Sequence, residues 1–119
     1  MQVLIVDSAI GVIERLAEII AEAKHVTAIH KAVSYEEAKR LFDETRYDAV
    51  LVDIDLPGGD SLKLLKEIRK TGEKTFVVIM FTHVDAYIMK QCRSIGFDFI
   101  FDKYYDFEKI RGLLEAYHV

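Results

Sequence analysis

Residues 48–55 read Asp-Ala-Val-Leu-Val-Asp-Ile-Asp, and Leu56-Pro57-Gly58-Gly59 follow. The apolar middle of this run, Ala49 to Val52, does not alternate with polar residues. That pattern marks a strand covered on both faces rather than on one. The run passes into Asp53 and Asp55 and then into a Pro-Gly turn signal. A parallel sheet sandwiched between helix layers is the usual setting for such a strand.

The flanking sequence supplies both layers. Gln2–Val6 (QVLIV) is nearly continuous and β-branched, a second strand of the same kind. Ile13, Leu16, Ile20 and Ala23 then recur at helical spacing, with Val12 and Ile19 widening the stripe. Thr27–Val33 is a weaker strand. Ser34 with Glu37 forms a capping box ahead of Ala38, Leu41 and Phe42. Beyond the Pro-Gly turn, Asp60 is placed to cap a helix with Leu62, Leu65 and Ile68 inward and Leu64 beside them, and Gly72 to end it. Thr75–Thr82 is another buried strand. Tyr87 to Arg93 is a short helix closed by Gly96, Asp98–Phe101 a fifth strand, and Asp106 a cap for a last helix carrying Phe107, Ile110, Leu114 and Tyr117. The order βαβαβαβαβα, with no linker, repeat or low-complexity segment, predicts a parallel sheet with helices on both faces.

Composition bounds the function. The chain has 119 residues, 51% hydrophobic and 30% charged, which is the make-up of one ordinary globular domain. A net charge of −4 argues against nucleic acid as the main partner. The single cysteine, Cys92, excludes an internal disulfide framework and a multi-cysteine metal site, and on its helix it reads as a packed thiol. His25, His30 and His118 show no ligand spacing. The start, MQVLIVDS, lacks a basic leader, and no apolar run approaches the roughly 20 residues of a membrane span. A cytoplasmic protein without membrane contact is expected.

In an open α/β sheet, ligands bind beyond the carboxyl ends of the strands. The first strand ends in Asp7-Ser8, the third in Asp53-Ile54-Asp55, the fourth in Thr82-His83 and the fifth in Asp102-Lys103. Carboxylates gathered in one pocket repel, by about 4 kcal/mol for two charges about 4 Å apart at an effective dielectric near 20. Mg²⁺ relieves such repulsion, taking one or two carboxylates together with water and phosphate oxygens. A carboxylate is also a nucleophile toward phosphorus, and the acyl phosphate it forms needs positive charge and donors, here Lys103 and the Thr82 hydroxyl. Singly, each of these side chains is an ordinary surface group; their order along the strands is what carries the inference. The Asp55 side chain stays open between capping the next loop and a place beside the phosphate.

The ordered set VLIVDS, VLVDIDLPGGDSLKLLKEIR, VVIMFT and FIFDK resembles the receiver domain of two-component response regulators, over essentially the whole chain. The resemblance implies a flavodoxin-like (βα)5 three-layer sandwich, with a five-stranded parallel sheet in the order 2-1-3-4-5 and a single receiver domain over residues 1–119. It implies Asp53 as phosphoacceptor in a phosphorelay, fed by a histidine kinase or phosphotransfer protein. The signal would leave by docking to a downstream protein partner, with a homodimer through the fourth helix, fifth strand and fifth helix as a further expectation. Enzymatic activity would be confined to phosphorylation and dephosphorylation of Asp53 itself. Asp7 matches the first of the family's acidic pair, Asp55 the position whose backbone carbonyl ligates Mg²⁺, Thr82 the switch hydroxyl and Lys103 the phosphate-pairing lysine.

The chain also departs from the family. Ser8 stands where the second acid of the pair is expected, so Mg²⁺ binding should be weak. His83 follows Thr82 where a small residue is usual. Ile100 replaces the aromatic switch residue, with Phe99 and Phe101 on the opposite sheet face by period two. Tyr104 replaces the proline after Lys103, and without proline a cis peptide is rare. His83, Ile100 and Tyr104 are thus the candidate switch and partner-surface positions. The alternative reading is a degenerate receiver acting as a phosphorylation-independent interaction module. A haloacid-dehalogenase-type phosphatase would want its Asp-x-Asp motif on the first strand, and a flavin carrier a hydroxyl-rich loop after it; Asp7-Ser-Ala-Ile-Gly-Val has one hydroxyl.

Overall fold

Five strands and five helices alternate in the computed structural model, which describes residues 1–57, 60–71, 74–83 and 85–117. They are β1 (Gln2–Val6), α1 (Ile10–Ala21), β2 (Ala28–Ala32), α2 (Tyr35–Glu44), β3 (Ala49–Asp53), α3 (Asp60–Thr71), β4 (Phe76–Phe81), α4 (Ala86–Ile95), β5 (Phe99–Asp102) and α5 (Lys109–Ala116). The strands form one parallel sheet in the order β2-β1-β3-β4-β5. Because side chains alternate across a strand, β1 sends Val3 and Ile5 to one face and Leu4 and Val6 to the other. The first face packs on Ile13, Leu16 and Ile20 of α1 and on Ile110 and Leu114 of α5. The second packs on Ala38 of α2, on Leu64, Leu65 and Ile68 of α3, and on Met89 and Cys92 of α4. The three-layer sandwich and strand order expected from the sequence are those observed. Cys92 is a buried, packed thiol, as read from its helix.

Local chemistry sets several boundaries. Ser34 caps α2, its Oγ accepting from the Glu37 N–H at 3.2 Å. α4 begins at Ala86 because Asp85, not singled out in the sequence, accepts from the N–H groups of Tyr87 and Ile88. Gly96 ends α4 with a φ of 108°, where a side chain would be strained. The caps expected at Asp60 and Asp106 need correction. Asp60 is the first residue of α3 rather than the residue before it, where its charge still suits the helix N-terminus. Asp106 does not cap the last helix; its carboxylate accepts from the Asp102 N–H at 2.9 Å, and α5 starts only at Lys109, after Glu108, which makes no side-chain cap. This backbone bond and Lys109 hold the Asp106 carboxyl below its ordinary value. The turn read from Gly58-Gly59, the helix end at Gly72, and His118 lie outside the described residues.

At the amino ends of the strands, Arg69 of α3 works as a clamp. Its guanidinium donates to the Gly96 carbonyl, to the Thr75 carbonyl and to the Asp98 carboxylate, at 3.1, 2.8 and 2.7 Å. Asp98 Oδ2 also accepts from the Val77 N–H, so α3, α4, β4 and β5 meet at one point.

Candidate functional site

The sheet itself positions the strand-end side chains. Its hydrogen bonds run past the strands: the Asp7 N–H donates to Ala32, Ile54 to Met80 and Lys103 to Phe81. Asp7 and Asp53 therefore leave neighbouring strands, β1 and β3, with their backbones held. Lys103 leaves β5 and reaches across the end of β4. Its ammonium lies 2.6 Å from Asp7 Oδ2 and 3.0 Å from Asp53 Oδ2. The group is nearly dry: Asp7 is 0% exposed, Asp53 3% and Lys103 9%.

Each acid is also fixed from behind. Asp7 Oδ1 accepts from the Ala9 N–H and Asp53 Oδ1 from the Asp55 N–H, both at 2.9 Å. These are Asx turns, the local geometry an aspartate favours two residues before a turning backbone N–H. Burial raises the Asp53 carboxyl above its ordinary value, against the pull of the Asp55 N–H and the Lys103 ammonium, with the Asp7 charge adding to the rise. Burial alone would lower the lysine; hydrogen bonds and charge from Asp7 and Asp53 more than offset it and leave Lys103 raised. The lysine is a charged partner to both acids.

Asp7 Oδ2 is shielded from water and is faced by the Lys103 ammonium at 2.6 Å. A shielded carboxylate oxygen of this kind suits a hard cation. Among the described residues no cluster of three or more His, Cys, Asp or Glu is arranged for a metal. Asp7 and Asp53 are the buried carboxylates that could hold one, since Mg²⁺ takes one or two carboxylates together with water and phosphate oxygens.

The rim of the site is more open. Thr82 is half-buried and donates its hydroxyl to Asp55 Oδ2 at 3.2 Å, while Asp55 is exposed. That contact was not legible beforehand, since 27 residues separate the pair. Ser8 and His83 are both exposed. Ile100 faces the α2–α4 side of the sheet and Phe101 the α1–α5 side, as the period of two predicts. No cis peptide occurs among the described residues, Lys103–Tyr104 included. Of the aromatic residues between 97 and 107, Phe101 is buried and Phe97 and Phe107 partly so, but Phe99, Tyr104 and Tyr105 are exposed. His30, which shows no ligand spacing, is half-buried and hydrogen-bonded to the Tyr47 hydroxyl.

A parallel sheet in this order, with acids at the ends of β1 and β3 and a lysine after β5, defines a flavodoxin-like regulator fold. The chain belongs to the response regulator receiver domain family, whose model matches residues 3–115. It is 27% identical over 116 residues to "Sporulation initiation phosphotransferase F" of Bacillus subtilis, covering 98% of this chain and 92% of that protein. It is 30% identical over 117 residues to "Probable C4-dicarboxylate response regulator DctR" of the same organism, but spans 51% of that protein. In fold it resembles a CheY-like response regulator receiver domain protein from Methanospirillum hungatei, with a TM-score of 0.86 and 16% identity over 96% of this chain and 90% of the other. The chain is a receiver domain of two-component signalling. Among the described residues, no helix is long and apolar enough to cross a membrane.

Proposed function

We propose that this receiver accepts a phosphoryl group on Asp53 and signals by docking to a partner protein. The observation that carries this reading is the buried group of Asp7, Asp53 and Lys103 at the carboxyl ends of the strands. A buried ion pair is weak evidence of stability alone, because desolvation costs several kcal/mol per ion. Placed at the ligand-binding rim of the fold, it is better explained by chemistry.

The donor would be the phosphohistidine of a histidine kinase or phosphotransfer protein. An Asp53 carboxylate oxygen attacks phosphorus, the P–N bond breaks, its electron pair stays on the imidazole, and Asp53 becomes an acyl phosphate. Lys103 then supplies positive charge against the new phosphoryl oxygens, and Thr82 a hydroxyl donor. Asp7 and Asp53, with the Asp55 carbonyl, would hold Mg²⁺, which supplies charge neutralisation of the transferring group. Ser8 leaves that site one acid short, so affinity for Mg²⁺ should be low. On this reading residues 1–119 act as one cytoplasmic receiver, and the face of α4, β5 and α5 receives the downstream partner or a second copy.

Incubation with acetyl phosphate and Mg²⁺, read by intact mass, tests the assignment. Wild type should gain the mass of one phosphoryl group and Asp53→Asn none. No gain in wild type, under conditions that label an ordinary receiver, would overturn it. Exposed Ser8 and a lysine already paired to both acids favour a second reading, a receiver used constitutively as an interaction module. Partner affinity indifferent to Asp53→Asn and to beryllofluoride would select that reading.

A further inference from the structure

A hydroxyl has one proton to donate. The Thr82 proton is directed at Asp55 Oδ2, 3.2 Å away, and Asp55 is the sole side-chain partner of Thr82 among the described residues. The Asp55 backbone N–H is in turn spent on Asp53 Oδ1. A chain of contacts therefore runs from the Thr82 hydroxyl through Asp55 to the Asp53 carboxylate, across the ends of β3 and β4.

We propose that Asp55 is a latch on Thr82, holding its hydroxyl in the resting arrangement and setting how readily it turns to a phosphoryl group on Asp53. This rests on Asp53 being the phosphoacceptor. Carboxylate and phosphoryl oxygens compete for the same proton, so the two arrangements exclude each other. The phosphoryl group offers three strong acceptor oxygens and is the better partner once it is present. Until then, the latch keeps the competent arrangement a minor population, and the apparent affinity for any phosphoryl-like ligand falls by that fraction. Asp55 thus acts as a positioning residue, through Thr82.

A double-mutant cycle with beryllofluoride and Mg²⁺, followed by NMR, separates this role from simple charge repulsion. Asp55→Ala should bind beryllofluoride roughly three- to tenfold more tightly than wild type, the worth of one hydrogen bond. In a Thr82→Ala background, the same substitution should change nothing. An equal gain in that background would show that Asp55 acts by its charge alone and would overturn the latch, as would unchanged or weaker binding in Asp55→Ala. A second measurement needs no phosphoryl chemistry. Three-bond couplings at the Thr82 methyl should report one side-chain rotamer in the free wild type and an averaged one in Asp55→Ala; averaging in the wild type, or no change in the variant, refutes the latch. Absence of beryllofluoride binding in wild type would instead overturn the phosphoacceptor reading, while the couplings still decide whether Asp55 holds Thr82.

Discussion

At the ends of β1 and β3, charged side chains are buried and each is tied to another, whereas at the outer edge formed by β5 and the loop after it, large apolar rings stand in solvent. Asp7, Asp53 and Lys103 occupy the first region. Phe99, Tyr104 and Tyr105 occupy the second, Tyr104 and Tyr105 being 71% and 84% exposed with their rings edge-on to each other. Each region inverts the usual placement, but the energetic consequences differ. Removing one member of a buried charged group strands the others without water, while removing an exposed ring strands nothing. Sensitivity to substitution should therefore follow interdependence rather than polarity.

The largest break in that comparison is Lys103→Met. It leaves Asp7 and Asp53 buried without their cation and should cost about 3–5 kcal/mol, the usual result of breaking a buried ion pair. Urea unfolding at neutral pH measures it, and a loss within 0.5 kcal/mol would show that water already reaches the acids.

Asp53→Asn should shift stability the opposite way, and by less. A carboxyl raised in the folded state is one whose charged form folding disfavours. Above that raised value the ionised acid costs stability; the cost lifts as pH falls through it toward the unfolded value near 3.9. The asparagine variant should thus have the higher urea midpoint at pH 7, and its advantage should shrink on acidification through that window. Lys103 runs with the reverse sign. Its stabilising contribution is full below the unfolded lysine value near 10.4 and is lost as pH rises through the raised folded value. The smallest effect belongs to the edge: Tyr105→Ser should move the unfolding free energy by no more than about 0.5 kcal/mol. A larger loss would mean that the ring contributes to the fold after all.

The same contrast explains what could be read from the sequence. The strands were legible because Val3 to Val6, Ala49 to Val52 and Val77 to Met80 are apolar without interruption, and burial on both faces requires that. Asp7, Asp53 and Lys103 were legible as strand-end residues. That one ammonium would pair with both acids was not, since their meeting depends on a stem crossing β4 rather than on spacing. The start of α5 was misread because Asp106 resembles a cap until the Asp102 N–H is seen to occupy it. The Asp55–Thr82 contact had no local signal at all. Exposure along the last segments was the hardest to foresee, because an aromatic next to an edge strand carries the same letters whether it faces a helix or water.

The Arg69 clamp makes the two ends of α4 unlike. It fixes the carboxyl-terminal end of α4, through the Gly96 carbonyl, to α3 and to the residues just before β4 and β5. The opposite end of α4 is finished by a side chain from its own chain segment, the exposed Asp85. The two ends of α4 are thus held differently, one tied across to three other elements and one capped only locally, while Met89 and Cys92 anchor the middle of the helix in the core.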